Sequence, residues 1–61
     1  MHNESPFFTG TVVSGSVGLT RHYVAVAEGN TIVVLRSFSM ADDALALLKA
    51  LRAAWYAATG V

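Results

Sequence analysis

Apolar residues fall into two regimes along this chain of 61 residues. In the first half they come in short runs rich in Val, Ile, Phe and Thr, the types that suit a pleated, half-buried surface. Phe7–Ser14 (FFTGTVVS), Leu19–Glu28 (LTRHYVAVAE) and residues 31–37 (TIVVLRS) are predicted strands. From Ser39 to Thr59 the spacing becomes helical. Met40, Ala44, Leu47, Leu48, Leu51, Trp55 and Ala58 fall on one arc, the expected core face. Ala and Leu, the strongest helix formers, fill the interior. Ser39 is the expected N-cap and Gly60 the expected stop. Asp42 and Asp43 lie at the positive end of the helix dipole, Lys49 and Arg52 further toward its negative end. The pattern predicts an α+β fold, a three-stranded antiparallel sheet in the order β-β-β-α with the C-terminal helix covering one face. Residues 1–6 are expected to form a flexible arm and 7–61 a single small domain.

Two turns set the strand pairing. Ser14 to Gly18 (SGSVG) is a glycine-bearing turn. Gly29-Asn30 between two β-rich runs is a two-residue hairpin signal. With that loop, Glu28 is expected opposite Thr31, Val26 opposite Val33, Val24 opposite Leu35, Tyr23 opposite Arg36 and His22 opposite Ser37. Val24, Val26, Val33 and Leu35 then lie under the helix against Leu48, Leu51 and Trp55. Tyr23, Ala25, Ala27, Ile32, Val34 and Arg36 take the other face. An antiparallel sheet with one face in water carries polar residues there. This second face does not, so it calls for a cover the helix cannot supply. On the helix, Ala46, Ala50, Ala53 and Ala57 form a stripe of small residues that another helix could approach closely, with Tyr56 at its edge.

Composition strengthens that expectation. A chain this short buries only about 60% of the surface it exposes when unfolded, so its core is marginal. It contains no Cys, which removes disulfides and thiolate zinc sites, and His2 and His22 have no ligand-like neighbours. No metal or cofactor is expected. Over half of the residues are hydrophobic (54%) and only 13% are charged, which leaves association with another chain as the remedy. The formal net charge is zero, so no electrostatic feature calls for nucleic acid or an anionic membrane. The polar start MHNESP lacks a basic-then-apolar leader, and Lys49 and Arg52 interrupt the longest apolar run, so neither secretion nor a membrane span is expected and the cytoplasm is the default.

No catalytic set converges. Adjacent acids such as Asp42 and Asp43 project ~100° apart on a helix and face no common atom. His22 has Ser37 as its nearest expected companion but no orienting acid or oxyanion donors. Gly15-Ser16-Val17-Gly18 lies between strands and lacks the Lys and the following helix of a phosphate loop. A hairpin loop is the expected reading, with Gly15, Ser16, Gly18 and Arg21 kept as a candidate ligand loop. Tyr23 and Arg36 are of the types enriched in binding hot spots.

The segment VVLRSFSMADDALALL, about a quarter of the chain, is similar to the strand-to-helix junction of small three-strand-plus-helix DNA-binding domains, the arm-binding domains of phage integrases and the plant ethylene-response type domains. That resemblance implies DNA reading through the face of Tyr23, Ala25, Ala27, Ile32, Val34 and Arg36. One cation there falls short of the several phosphate contacts DNA binding needs. The leading expectation is a non-enzymatic protein-interaction module, a homodimer or higher homo-oligomer that docks on and inhibits or regulates a larger protein, as small phage-encoded inhibitors do. Its expected interface is Tyr23, Ile32, Val34, Arg36, Ala46, Ala50, Ala53, Tyr56 and Ala57. DNA binding through the sheet is the alternative. A small-ligand sequestering protein with an inter-subunit pocket is the second.

Overall fold

The computed structural model describes residues 5–59. The strands β1 (Phe7–Ser14), β2 (Leu19–Glu28) and β3 (Thr31–Phe38) form one antiparallel sheet in the order β1-β2-β3, and the helix α1 (Ala41–Thr59) follows and packs on it. This is the expected α+β architecture. The arm expected over residues 1–6 lies largely outside the described residues, as does the Gly60 stop. Ser5 and Pro6 are half-buried and held: the Ser5 hydroxyl accepts from the Phe7 N–H (3.1 Å) and the Pro6 carbonyl from the Ala27 N–H (3.0 Å).

The β1–β2 connection is a single 3-10 turn, Gly15–Val17, closed by the Gly18 N–H on the Ser14 carbonyl (3.0 Å). The β2–β3 hairpin turns at Gly29-Asn30 as expected. Gly29 has φ of 59° and no described non-glycine residue has positive φ, the type II′ pattern that matches strand twist.

Pairing from this turn runs Glu28↔Thr31, Ala27↔Ile32, Val26↔Val33 and Ala25↔Val34, then slips. Val24 pairs with Arg36, Tyr23 with Ser37 and His22 with Phe38. Leu35 is the extra residue of a β-bulge. This corrects three expected pairs: Val24 with Leu35, Tyr23 with Arg36 and His22 with Ser37. One inserted residue reverses the face of everything after it. Arg36 therefore leaves Tyr23's face for Val24's, where its guanidinium lies 5.1 Å from the Phe38 ring centroid.

The helix begins one residue later than expected. The Met40 carbonyl accepts from the Ala44 N–H (3.4 Å), which puts Met40 rather than Ser39 at the cap, because the sheet runs on through Phe38. Met40 is consequently exposed instead of in the core. Ala44 and Leu48 are buried, and Leu47, Leu51 and Trp55 are half-buried, as the helical arc predicts.

The core of the described chain is small: Val24, Ala25, Ala44 and Leu48 are its buried apolar residues. The helix lies nearer β1 and β2 than β3. Val33 and Leu35, expected beneath it, remain 41% and 46% exposed. The molecule measures 44 × 26 × 16 Å, with a Cα radius of gyration of 13.2 Å. A compact chain of this length would have about 10–11 Å. One sheet and one helix make a thin, open slab.

Candidate interaction surfaces

Alternation along β2 places Arg21, Tyr23, Ala25 and Ala27 on one face of the sheet. Their partners across the strands are Phe8, Gly10 and Val12 on β1, and Ile32, Val34 and Ser37 on β3. Val12, Arg21, Tyr23, Ile32, Val34 and Ser37 line a concavity of about 470 Å³ on this face. No helix residue lines it, so α1 covers the opposite, Val24 side.

Tyr23 is fixed from two directions. Its ring meets Phe8 edge-on, centroids 6.4 Å apart at 81°. It also lies over Gly10, its cross-strand partner; a Cβ on Gly10 would overlap the Tyr23 Oη and Cζ and come within 2.7 Å of Cε2. The glycine is what lets the ring lie down on the sheet. Sequence reading passed over Gly10, although a lone glycine inside a β-rich run is the signal for such a close approach.

Arg21 sits at one end of the concavity. Its Nη2 donates to the Ser37 carbonyl (3.2 Å) and hydroxyl (3.1 Å), which ties β2 to β3 beyond the bulge. Among the described residues no acidic side chain lines the concavity. Of the expected site residues, Tyr23, Ile32 and Val34 come together here, Arg21 joins them, and Arg36 does not. Gly15, Ser16 and Gly18 lie exposed at the hairpin tip and line nothing.

The outer edge of β3 is a second surface. Ile32, Val33, Val34 and Leu35 are consecutive and 63%, 41%, 57% and 46% exposed. Side chains on both faces of this strand are uncovered. The β1 edge differs. At its start the Phe7 N–H reaches Ser5 and the Phe7 carbonyl accepts from Arg52 Nη2 (3.4 Å).

On the helix, Ala46, Ala50, Ala53 and Ala57 are all exposed, as is Leu45, and Tyr56 packs edge-on against Trp55 with centroids 5.2 Å apart. His22 lies in the sheet opposite Phe38 and Thr11, while Asp42 and Asp43 are exposed in the first helical turn. Among the described residues no group of three His, Cys, Asp or Glu is placed to hold a metal ion. Nor is any helix among them long and apolar enough to cross a membrane. Comparison with known protein families, curated proteins and solved structures finds no match to this chain.

Proposed function

We propose that this protein is a non-enzymatic interaction module that pairs with a second copy of itself along β3. The supporting observation is the run Ile32–Leu35, exposed on both sides of an edge strand. A partner stacked on the open face would cover Ile32 and Val34 and leave Val33 and Leu35 in water. A partner beneath the sheet would do the reverse. A strand added at the edge flanks all four, and also satisfies the outward N–H and C=O groups of β3. The run carries no Lys or Pro, the residues that commonly blunt such an edge.

Antiparallel pairing of β3 with its own copy is self-complementary, the usual form of a two-fold interface. It would join two three-stranded sheets into one continuous sheet, with both helices on one side and both concavities on the other. Such a pair would act by docking on a larger protein and regulating it, in the cytoplasm. This use is supported by the small size, the absence of cysteine and the lack of converging catalytic groups among the described residues. Sedimentation velocity over a dilution series, with hydrogen exchange on the same samples, tests the pairing. A dimer with slowed amide exchange at Ile32 and Val34, the outward N–H groups of this run, is expected. A monomer at tens of micromolar, or a dimer whose β3 amides exchange as fast as in the diluted protein, overturns it.

A further inference from the structure

We propose that the open face of the sheet binds a single-chain amphiphile with a carboxylate head, a medium-chain fatty acid, with the head at Arg21 and the chain along Tyr23, Val34 and Ile32. The inference goes beyond self-pairing and does not rest on it, because the concavity belongs to one chain.

Three observations carry the proposal. The first is size: about 470 Å³ lies within the range of sites that take small molecules. The second is polarity along its length. Arg21 and Ser37 stand at one end, and Val34 and Ile32 follow toward the other. Tyr23, the partner of Ser37, and Ala27, the partner of Ile32, are separated along β2 by roughly 13 Å at the usual rise per residue, about the length of a ten-carbon chain. A polar end followed by an apolar run suits a ligand with one head and one tail.

The third is charge. Arg21 has five N–H donors, and Nη2 alone has partners among the described residues, the carbonyl and hydroxyl of Ser37. Nε and Nη1 each remain to donate a single charge-assisted hydrogen bond to a carboxylate oxygen. Among the described residues no acid in the lining competes for it. The Ser37 bonds hold the guanidinium in place, and Tyr23, pressed onto Gly10 and Phe8, gives the tail a fixed wall.

The bulge is what makes this an amphiphile site. Without it Arg36 would stand beside Tyr23 in the apolar stretch. With it Ser37 stands there, and Arg36 is on the other face.

The test is titration of the full chain with decanoate, kept below its micelle concentration, against decanol, followed by amide chemical shifts and calorimetry. Saturable 1:1 binding of decanoate is expected, with shifts at Val12, Tyr23, Ile32 and Val34, and decanol at least tenfold weaker. Arg21→Gln is expected to weaken decanoate at least tenfold and leave decanol unchanged. Val12→Asp supplies an acid directly opposite Arg21 in the β1–β2 register and is expected to abolish decanoate binding, while Val12→Asn retains it. Equal affinity for the acid and the alcohol, or an Arg21→Gln protein that binds decanoate normally, overturns the carboxylate reading. No saturable binding of either probe to a folded protein overturns the site. Sedimentation of the same samples reports pairing separately, so a dimer that ignores decanoate refutes this inference and leaves the proposed pairing standing.

Discussion

Ile32→Lys is the sharpest perturbation of the proposed β3 edge. Ile32 is 63% exposed in the single chain, so most of its side chain has nothing to lose there. Full burial of an Ile contributes about 1.5–3 kcal/mol, which leaves roughly 1–2 kcal/mol to be gained when a second strand covers it. Two-fold symmetry counts the residue twice, and losing both contributions costs about 3 kcal/mol. That corresponds to roughly a hundredfold rise in the dimer dissociation constant. The assay is sedimentation velocity across a dilution series, with thermal unfolding of the diluted, monomeric protein as the control for fold. Ile32→Thr keeps the β-branch that suits a strand and is expected to fall between wild type and Lys. Ala53→Glu, on the exposed alanine stripe of the helix, is expected to leave the dimer intact. If Ala53→Glu dissociates the dimer and Ile32→Lys does not, the interface lies on the helix and the edge reasoning is wrong.

Other outcomes follow from the same geometry. Leu48→Ala opens a core with few buried residues; at a cost of about 2–5 kcal/mol, against roughly 3–9 kcal/mol of total stability for a chain of this length, the circular-dichroism melting transition is expected to fall steeply or vanish. A melting point within a few degrees of wild type would refute that core. Gly10→Ala drives a methyl into the Tyr23 ring and is expected to lower stability despite the better intrinsic preference of Ala, whereas in a Tyr23→Ala background the same change becomes neutral or stabilising; urea midpoints of the four proteins in the cycle decide it. Gly29→Ala forces a Cβ into φ of 59° and is expected to cost about 1–3 kcal/mol, read as a lower urea midpoint.

The element order, the two turns and the leucine face of the helix were legible because each rests on short-range chemistry. Gly-Asn between two β-rich runs fixes a tight hairpin, and Ala44, Leu47, Leu48, Leu51 and Trp55 repeat at helical spacing. The slip at Leu35 was not legible. Register is readable from sequence when one strand face is polar, since a shift of one residue then moves polar groups into the core. The run TIVVLRS is apolar at both parities, so no residue marks the change of phase. The same ambiguity hid the exposure of Val33 and Leu35. A valine-rich face was matched to a leucine-rich helix, but a single helix is too narrow to span three strands and settles toward β1 and β2.

The bulge divides the work of β3. Before it, Thr31 to Val34 pair regularly with β2 and carry only Thr and apolar side chains. After it, Ser37 is engaged by Arg21, and Arg36 lies over Phe38. A bulge interrupts the regular backbone ladder and increases local twist, so it makes a poor template for an added strand. Pairing with a second copy is therefore confined to the first half of β3, where the edge is regular and apolar. Hydrogen exchange should show this asymmetry along one strand: concentration-dependent protection at Ile32 and Val34, whose N–H groups point away from β2, and none at Arg36 and Phe38. A partner lying flat on either face has no reason to respect that boundary, so the position where protection ends separates an edge interface from a stacked one.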